Sequence, residues 1–177
     1  MGENMRSRLA AAAVAVAVAA LIGPTAVAAS PPTVQIAGDK FSKEITFVGP
    51  AADVNPFGGT TRTWRIRSWL NRDTKTVAHQ LYVEINYIGG WRWYSIAAND
   101  NAETMPVVKI ASQVGSCLGG CIMYETVGIE LPTALLRARA TTGFQVKLTA
   151  QSGDTLVLDV KPNMIGPQLQ AIDGYTG

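Results

Sequence analysis

Two cysteines, one histidine and a run of alternating arginines and aromatic residues are the side chains best placed to carry chemistry in this sequence. Cys117 and Cys121 frame Leu118-Gly119-Gly120, and the glycines let the chain fold back far enough to bring the sulfurs together. Such a pair can be a structural disulfide, a redox couple or part of a zinc site. The redox couple is disfavoured because its usual spacing is CxxC. Zinc would have to recruit His79 and a carboxylate across a long gap. A structural disulfide is therefore expected, with no metal. Closing so short a loop is worth only about 2 kcal/mol by chain entropy, so it clips one turn.

His79 alternates in phase with Leu81, Val83 and Ile85, which turns it to the apolar side of a strand. A hairpin centred on Asp73-Thr74 sets it opposite Ser68, whose hydroxyl can satisfy the ring. A buried structural histidine is expected. A Cys117–His79 nucleophile pair needs a free thiol, and Cys121 favours oxidation instead. There is no GxSxG, HExxH, GxxxxGK[ST] or GxGxxG. Glu125 and Glu130 are five apart on an expected strand, hence on opposite faces. Glu84 and Glu103 could meet another carboxylate, but no spacing in the sequence assigns one. The expectation is a protein with no catalytic residue and no cofactor. Paired carboxylates need no local motif, so a hydrolase of envelope glycans or peptides is the alternative.

The arginine–aromatic run lies in residues 62–97. Trp64, Ile66 and Leu70 alternate with Arg65, Arg67 and Trp69, and Val77 to Tyr87 alternate likewise after the polar turn at 71–75. Gly89-Gly90 reads as a two-residue hairpin turn leading to a third strand, Trp91 to Ala97. In that three-stranded meander Trp64, Ile66, Leu81, Val83, Ile85, Tyr94 and Ile96 share one face. The other collects Arg65, Arg67, Trp69, Gln80, Tyr82, Glu84, Asn86, Trp91, Trp93 and Ser95, with Arg65 across from Tyr82 and Trp93 across from Asn86. A one-residue slip would mix apolar and charged positions. Guanidinium groups with flat rings are favoured at interfaces, and arginines fork onto carboxylate or phosphate. Arg65, Arg67, Trp69, Tyr82, Trp91 and Trp93 are the candidate ligand-binding residues. The competing reading has a second sheet or a late helix cover the tryptophans and make them core.

The elements around this face follow from the same patterns. Strands are expected at 45–48, 107–111, 121–130, 144–150 and 155–160. A short helix is expected at 132–140, and a second at 162–172 interrupted by Gly166-Pro167. No internal repeat is visible. The fold expected is mainly β, an antiparallel β-sandwich or curled sheet with one or two short helices near the C-terminus. An α+β domain is the runner-up.

The N-terminus reads as a signal peptide, residues 1–28. Arg6 and Arg8 precede an uncharged apolar run from Leu9 to Ile22, shorter than the roughly 20 residues that span a bilayer. Gly23-Pro24 breaks it, and Ala26-Val27-Ala28 fits the small-x-small cleavage pattern. After cleavage no transmembrane span is expected. Residues 29–61 are read as an extended arm, a short strand and a loop, belonging with 62–177 to a single β-rich domain. Fifteen basic against thirteen acidic residues, net +2, is not a nucleic-acid profile or a polybasic membrane tether. The location expected is periplasmic or secreted.

From the Gly120-Cys121 pair onward, a strand, Leu135-Leu136 on a short helix, a two-strand hairpin and an apolar closing segment follow in order. In this pattern Cys117 to Ile172 resembles the C-terminal part of the invasion-associated locus B family of exported bacterial proteins. The chain lacks the further upstream cysteines usual in that family. The resemblance implies a secreted or periplasmic β-sandwich without enzymatic activity, acting at the cell envelope, and carries over no site residues. Together these readings describe an exported, non-enzymatic binding module whose partner is a protein or an envelope polymer. A structural envelope subunit is the third alternative.

Overall fold

Alternating apolar and polar residues turn most of the chain into antiparallel strands. In order they are β1 (Gln35–Ala37), β2 (Glu44–Val48), β3 (Ala52–Val54), β4 (Thr61–Asn71), β5 (Val77–Ile88), β6 (Tyr94–Asn99), β7 (Thr104–Met105), β8 (Val107–Val114) and β9 (Ile122–Glu130). Then come α1 (Thr133–Ala138), β10 (Phe144–Ala150), β11 (Thr155–Val160) and α2 (Pro162–Asp173). This computed structural model describes residues 33–54 and 60–176, all within one compact unit, Pro31–Gly177. The expected signal peptide, 1–28, and residues 55–59 of the expected loop before residue 62 lie outside the described residues.

The strands form two open sheets. The larger runs β1-β2-β4-β5-β9-β8, with β3 also pairing to β4; the smaller runs β11-β10-β6-β7. Trp64, Ile66, Leu81, Val83 and Ile85 of the large sheet are buried in one core with Val146, Leu148, Leu156 and Leu158 of the small one. Each such side chain contributes about 1.5–3 kcal/mol on burial. The expected mainly β, antiparallel fold with two late helices is what the chain adopts.

The β4–β5 register is the expected one: Arg65 pairs with Tyr82 and Ser68 with His79. Beyond it the sheet departs from the meander. The third strand across Gly89-Gly90 does not form. β5 pairs instead with β9, Asn86 facing Tyr124, while β6 crosses to the small sheet and pairs with β10. Trp93 therefore does not face Asn86. Ile96, expected in the core, is 57% exposed, because a register shift at Thr149/Ala150 leaves Tyr94 and Ala97 as the buried pair.

The two helices close the end of the sandwich on the inner side. Gln168 of α2 donates to the Ser68 hydroxyl and to the Phe47 carbonyl, and Ile45, Phe47, Leu70 and Ile172 form a second, smaller core there. The expected break at Gly166-Pro167 is absent, and α2 runs through Pro167. Proline in a helix interior costs roughly 3 kcal/mol. Burial of Met164, Ile165, Leu169 and Ile172 on one face of α2 outweighs it.

One edge of the large sheet is β8. A bulge between Lys109 and Ala111 interrupts its pairing with β9, and Lys109, in register with buried Val127, points to the inner side.

Candidate functional site: an arginine–aromatic sheet face

With Trp64, Ile66, Leu81 and Val83 turned inward, alternation turns Arg65, Arg67, Trp69, Gln80, Tyr82 and Glu84 to the opposite face of the large sheet. Both helices and the small sheet pack on the inner side. Among the described residues no element covers this outer face.

The cations on it are not equivalent. Arg65 is ion-paired to Glu84 at 2.8 Å. Arg67 lies 3.9 Å above the Tyr82 ring and 5.3 Å from the Trp69 ring, and among the described residues its guanidinium makes one hydrogen bond, to the Gln80 side-chain Oε1 at 2.8 Å. Among the described residues Arg67 has no carboxylate partner, and its Nε–H has no acceptor. Burial pulls this guanidinium below its ordinary pKa; Tyr82 opposes that, and the like charge of Arg65 adds to it. The side chain of Gln80 lies where a Cβ on Gly128 of β9 would stand, so glycine there is what admits it.

At the hairpin end of the face a cleft of about 510 Å³ opens, lined by Trp69, Ala78, Gln80, Glu130, Pro132 and Thr133 among others. Trp69 and Gln80 thus belong both to the Arg67 cluster and to the cleft. Among the described residues Glu130 is the one carboxylate in the lining. Glycoside hydrolysis takes two, one as acid and one as base or nucleophile.

Of the six candidate residues, the fold brings Arg65, Arg67, Trp69 and Tyr82 together and places Trp91 and Trp93 elsewhere. These two stack on each other, ring centres 4.9 Å apart, in the segment that crosses between the sheets. Trp91 packs against the main core, and the Lys109 ammonium lies 4.0 Å over the Trp93 ring. The expected grouping of all six on one face is corrected accordingly.

The cause is a buried carboxylate. Glu125, 3% exposed, accepts the Tyr87 hydroxyl and the backbone N–H groups of Arg92 (3.1 Å), Trp93 (3.0 Å) and Tyr94 (3.1 Å). Successive N–H groups converge on one anion only if the chain curls, and Trp93 does so with φ +57°. A strand cannot continue through that conformation, so the hairpin is lost. Burial, then the bond to Glu125, pushes the Tyr87 phenol far above its usual pKa. The signal was present in the sequence: Glu125 shares its strand phase with Met123, Val127 and Ile129.

His79 is buried and its Nδ1 lies 2.8 Å from the Ser68 hydroxyl. The same hydroxyl oxygen accepts from Gln168, and the His79 Nε2 has no partner among the described residues. Burial, then Arg137, lowers the His79 pKa, and Asp173 opposes. Cys117 and Cys121 are joined in a disulfide at the turn between β8 and β9, where Gly119 and Gly120 take positive φ. Among the described residues no three His, Cys, Asp or Glu side chains gather as a metal site, and no helix is long and apolar enough to cross a membrane.

Fold and site together define an antiparallel β-sandwich whose arginine–aromatic face, covered by no element among the described residues, ends in a cleft. No protein-family model, curated protein or solved structure matches the chain.

Proposed function

We propose that the chain is an exported, non-enzymatic binding module that engages a protein or polymer of the cell envelope through the outer face of its large sheet. The observation that carries this reading is Arg67: a partly desolvated cation between two aromatic rings, with no carboxylate partner among the described residues, on a face that none of them covers. A guanidinium so placed gains most when an external anion takes its free donors. Export is supported by the tripartite N-terminus and by a disulfide, which persists outside the reducing cytosol. The resemblance of Cys117 to Ile172 to exported envelope proteins points the same way.

The test is retention of the purified mature protein on isolated envelope fractions. Changing Arg67 and Trp69 to Ala should remove retention and leave the urea midpoint nearly in place. Trp91→Ala should instead lower stability while the folded fraction still binds. Retention unchanged in the Arg67/Trp69 variant would end the reading.

A further inference from the structure

Resting on that reading, we infer that the Trp69 cleft takes one carboxylated sugar ring of an acidic polysaccharide, the ring stacked on Trp69 and its carboxylate forked by Arg67. Three features select this chemistry over an acidic protein segment. The first is the pairing of a flat ring with an unneutralised guanidinium 5.3 Å from its centre, within reach of an exocyclic carboxylate on a stacked six-membered ring. Bidentate guanidinium–carboxylate pairs add geometric specificity to charge.

The second is the rest of the lining. Gln80, Glu130 and Thr133 offer donors and acceptors suited to hydroxyl groups, and the small Ala78 pairs with Trp69 across the strands. An anchoring protein side chain is ordinarily received by a well-packed, desolvated pocket. This cleft is instead open along the sheet face, and its mainly apolar lining, with Val77, Pro106, Leu131 and Pro132 beside Trp69, suits the C–H faces of a sugar ring.

The third is the sign of the surroundings. Glu130 stands in the cleft and Glu84 holds Arg65, so among the described residues Arg67 is the cation of this cluster without a carboxylate partner. A run of acidic side chains would set further carboxylates against Glu130. One uronate ring meets Glu130 with its hydroxyls and Arg67 with its carboxylate, and the carboxylates of the adjoining units fall outside the cleft. The cleft lies at the end of an open sheet face, which suits a unit of an extended chain.

The experiment is gel retardation of the purified mature protein in polygalacturonate, and in the same polymer after its carboxylates have been reduced to alcohols. Alginate is the second polyuronate. The expected result is retardation by a polyuronate that weakens at least ten-fold on carboxyl reduction. Trp69→Ala should abolish it, Arg67→Lys should weaken it several-fold by keeping charge without the fork, and Arg65→Ala should have little effect. Retardation by neither polyuronate, equal retardation by the reduced polymer, or full binding by Trp69→Ala would each overturn the inference, the last marking simple ion exchange.

Failure of the inference is separable from failure of the binding face. If the Arg67/Trp69 variant still loses envelope retention and that retention is destroyed by protease treatment of the envelope, the ligand is a protein. The sugar assignment then falls while the face stands. If the variant changes neither retention nor retardation, both fall.

Discussion

Glu125 and Tyr87 share a hydrogen bond inside the sandwich, from adjacent strands of the large sheet. The same carboxylate grips the N–H groups that lead into β6 of the small sheet. One side chain of β9 therefore fixes where the chain leaves one layer and enters the other. Hydrogen bonds to a charged group are worth about 1.5–3 kcal/mol each, and a buried group left unsatisfied costs about 1–3.

Glu125→Gln turns one accepting oxygen into a donor that faces N–H groups. The variant should unfold at clearly lower urea concentration, with a loss of about 3 kcal/mol. The fluorescence of the stacked Trp91–Trp93 pair should change as the crossing segment loosens. A loss below about 1 kcal/mol would show that the carboxylate does not hold the crossing.

Trp64 and Trp69 lie five positions apart on β4, on opposite faces, and should respond oppositely. Trp64 is 3% exposed and its indole N–H donates to the Asp159 carbonyl of the small sheet at 2.9 Å. Trp64→Ala should cost about 3–5 kcal/mol. Trp69→Ala removes a half-buried ring and one contact with Arg67, worth about 0.5–1 kcal/mol at such a site. Equal losses in chemical denaturation would place Trp69 in the core and remove it from any binding surface.

His79 makes stability depend on pH in a calculable direction. Its folded pKa is lowered, by burial first, so on acidification the unfolded chain takes up a proton that the folded protein refuses. This contribution is absent above the unfolded value of about 6.5. It grows as pH falls through that value, until the depressed folded pKa is reached. Thermal midpoints should therefore fall from pH 7.5 to 5. His79→Gln, less stable at neutral pH, should lose the part of that slope due to one proton. An unchanged slope would assign the acid sensitivity to other groups.

The disulfide should prove local. Changing both Cys117 and Cys121 to Ser should cost no more than about 2 kcal/mol, given the short loop it closes. Hydrogen exchange should speed up at Gly115 and Ile122, whose N–H groups bond across the turn, and stay unchanged in β4 and β5. Global loosening would mean that the clip organises more than its turn.

The β4–β5 hairpin was legible because its turn is polar and both faces alternate without a fault, so only one register keeps Arg65 and Arg67 out of the core. The same rule placed Ser68 against His79 and located β10 and β11. It failed at Gly89-Gly90, where turn residues signal a reversal but not which sheet receives the returning strand. That choice rests on Glu125, thirty-odd positions away, and long-range partners leave no periodicity in the segment they capture. For the candidate site this meant that Arg65, Arg67, Trp69 and Tyr82 could be grouped from alternation alone. The Trp69 cleft could not, because Glu130, Pro132 and Thr133 reach it only through the β5–β9 pairing. The strands at Gln35–Ala37 and Ala52–Val54 were hidden for another reason: three residues are too few to show alternation.

The bulge and the inward lysine of β8 bear on how crowded copies of this molecule behave. The strand shows solvent Val108, Ile110 and Val114, a composition that invites a neighbour to zip on. The kink between Lys109 and Ala111 breaks the even spacing of free backbone groups that a templated strand requires. Seating one flat against the edge would also disturb the lysine resting on Trp93. The protein can thus display an apolar border at high concentration and still resist growing into fibres.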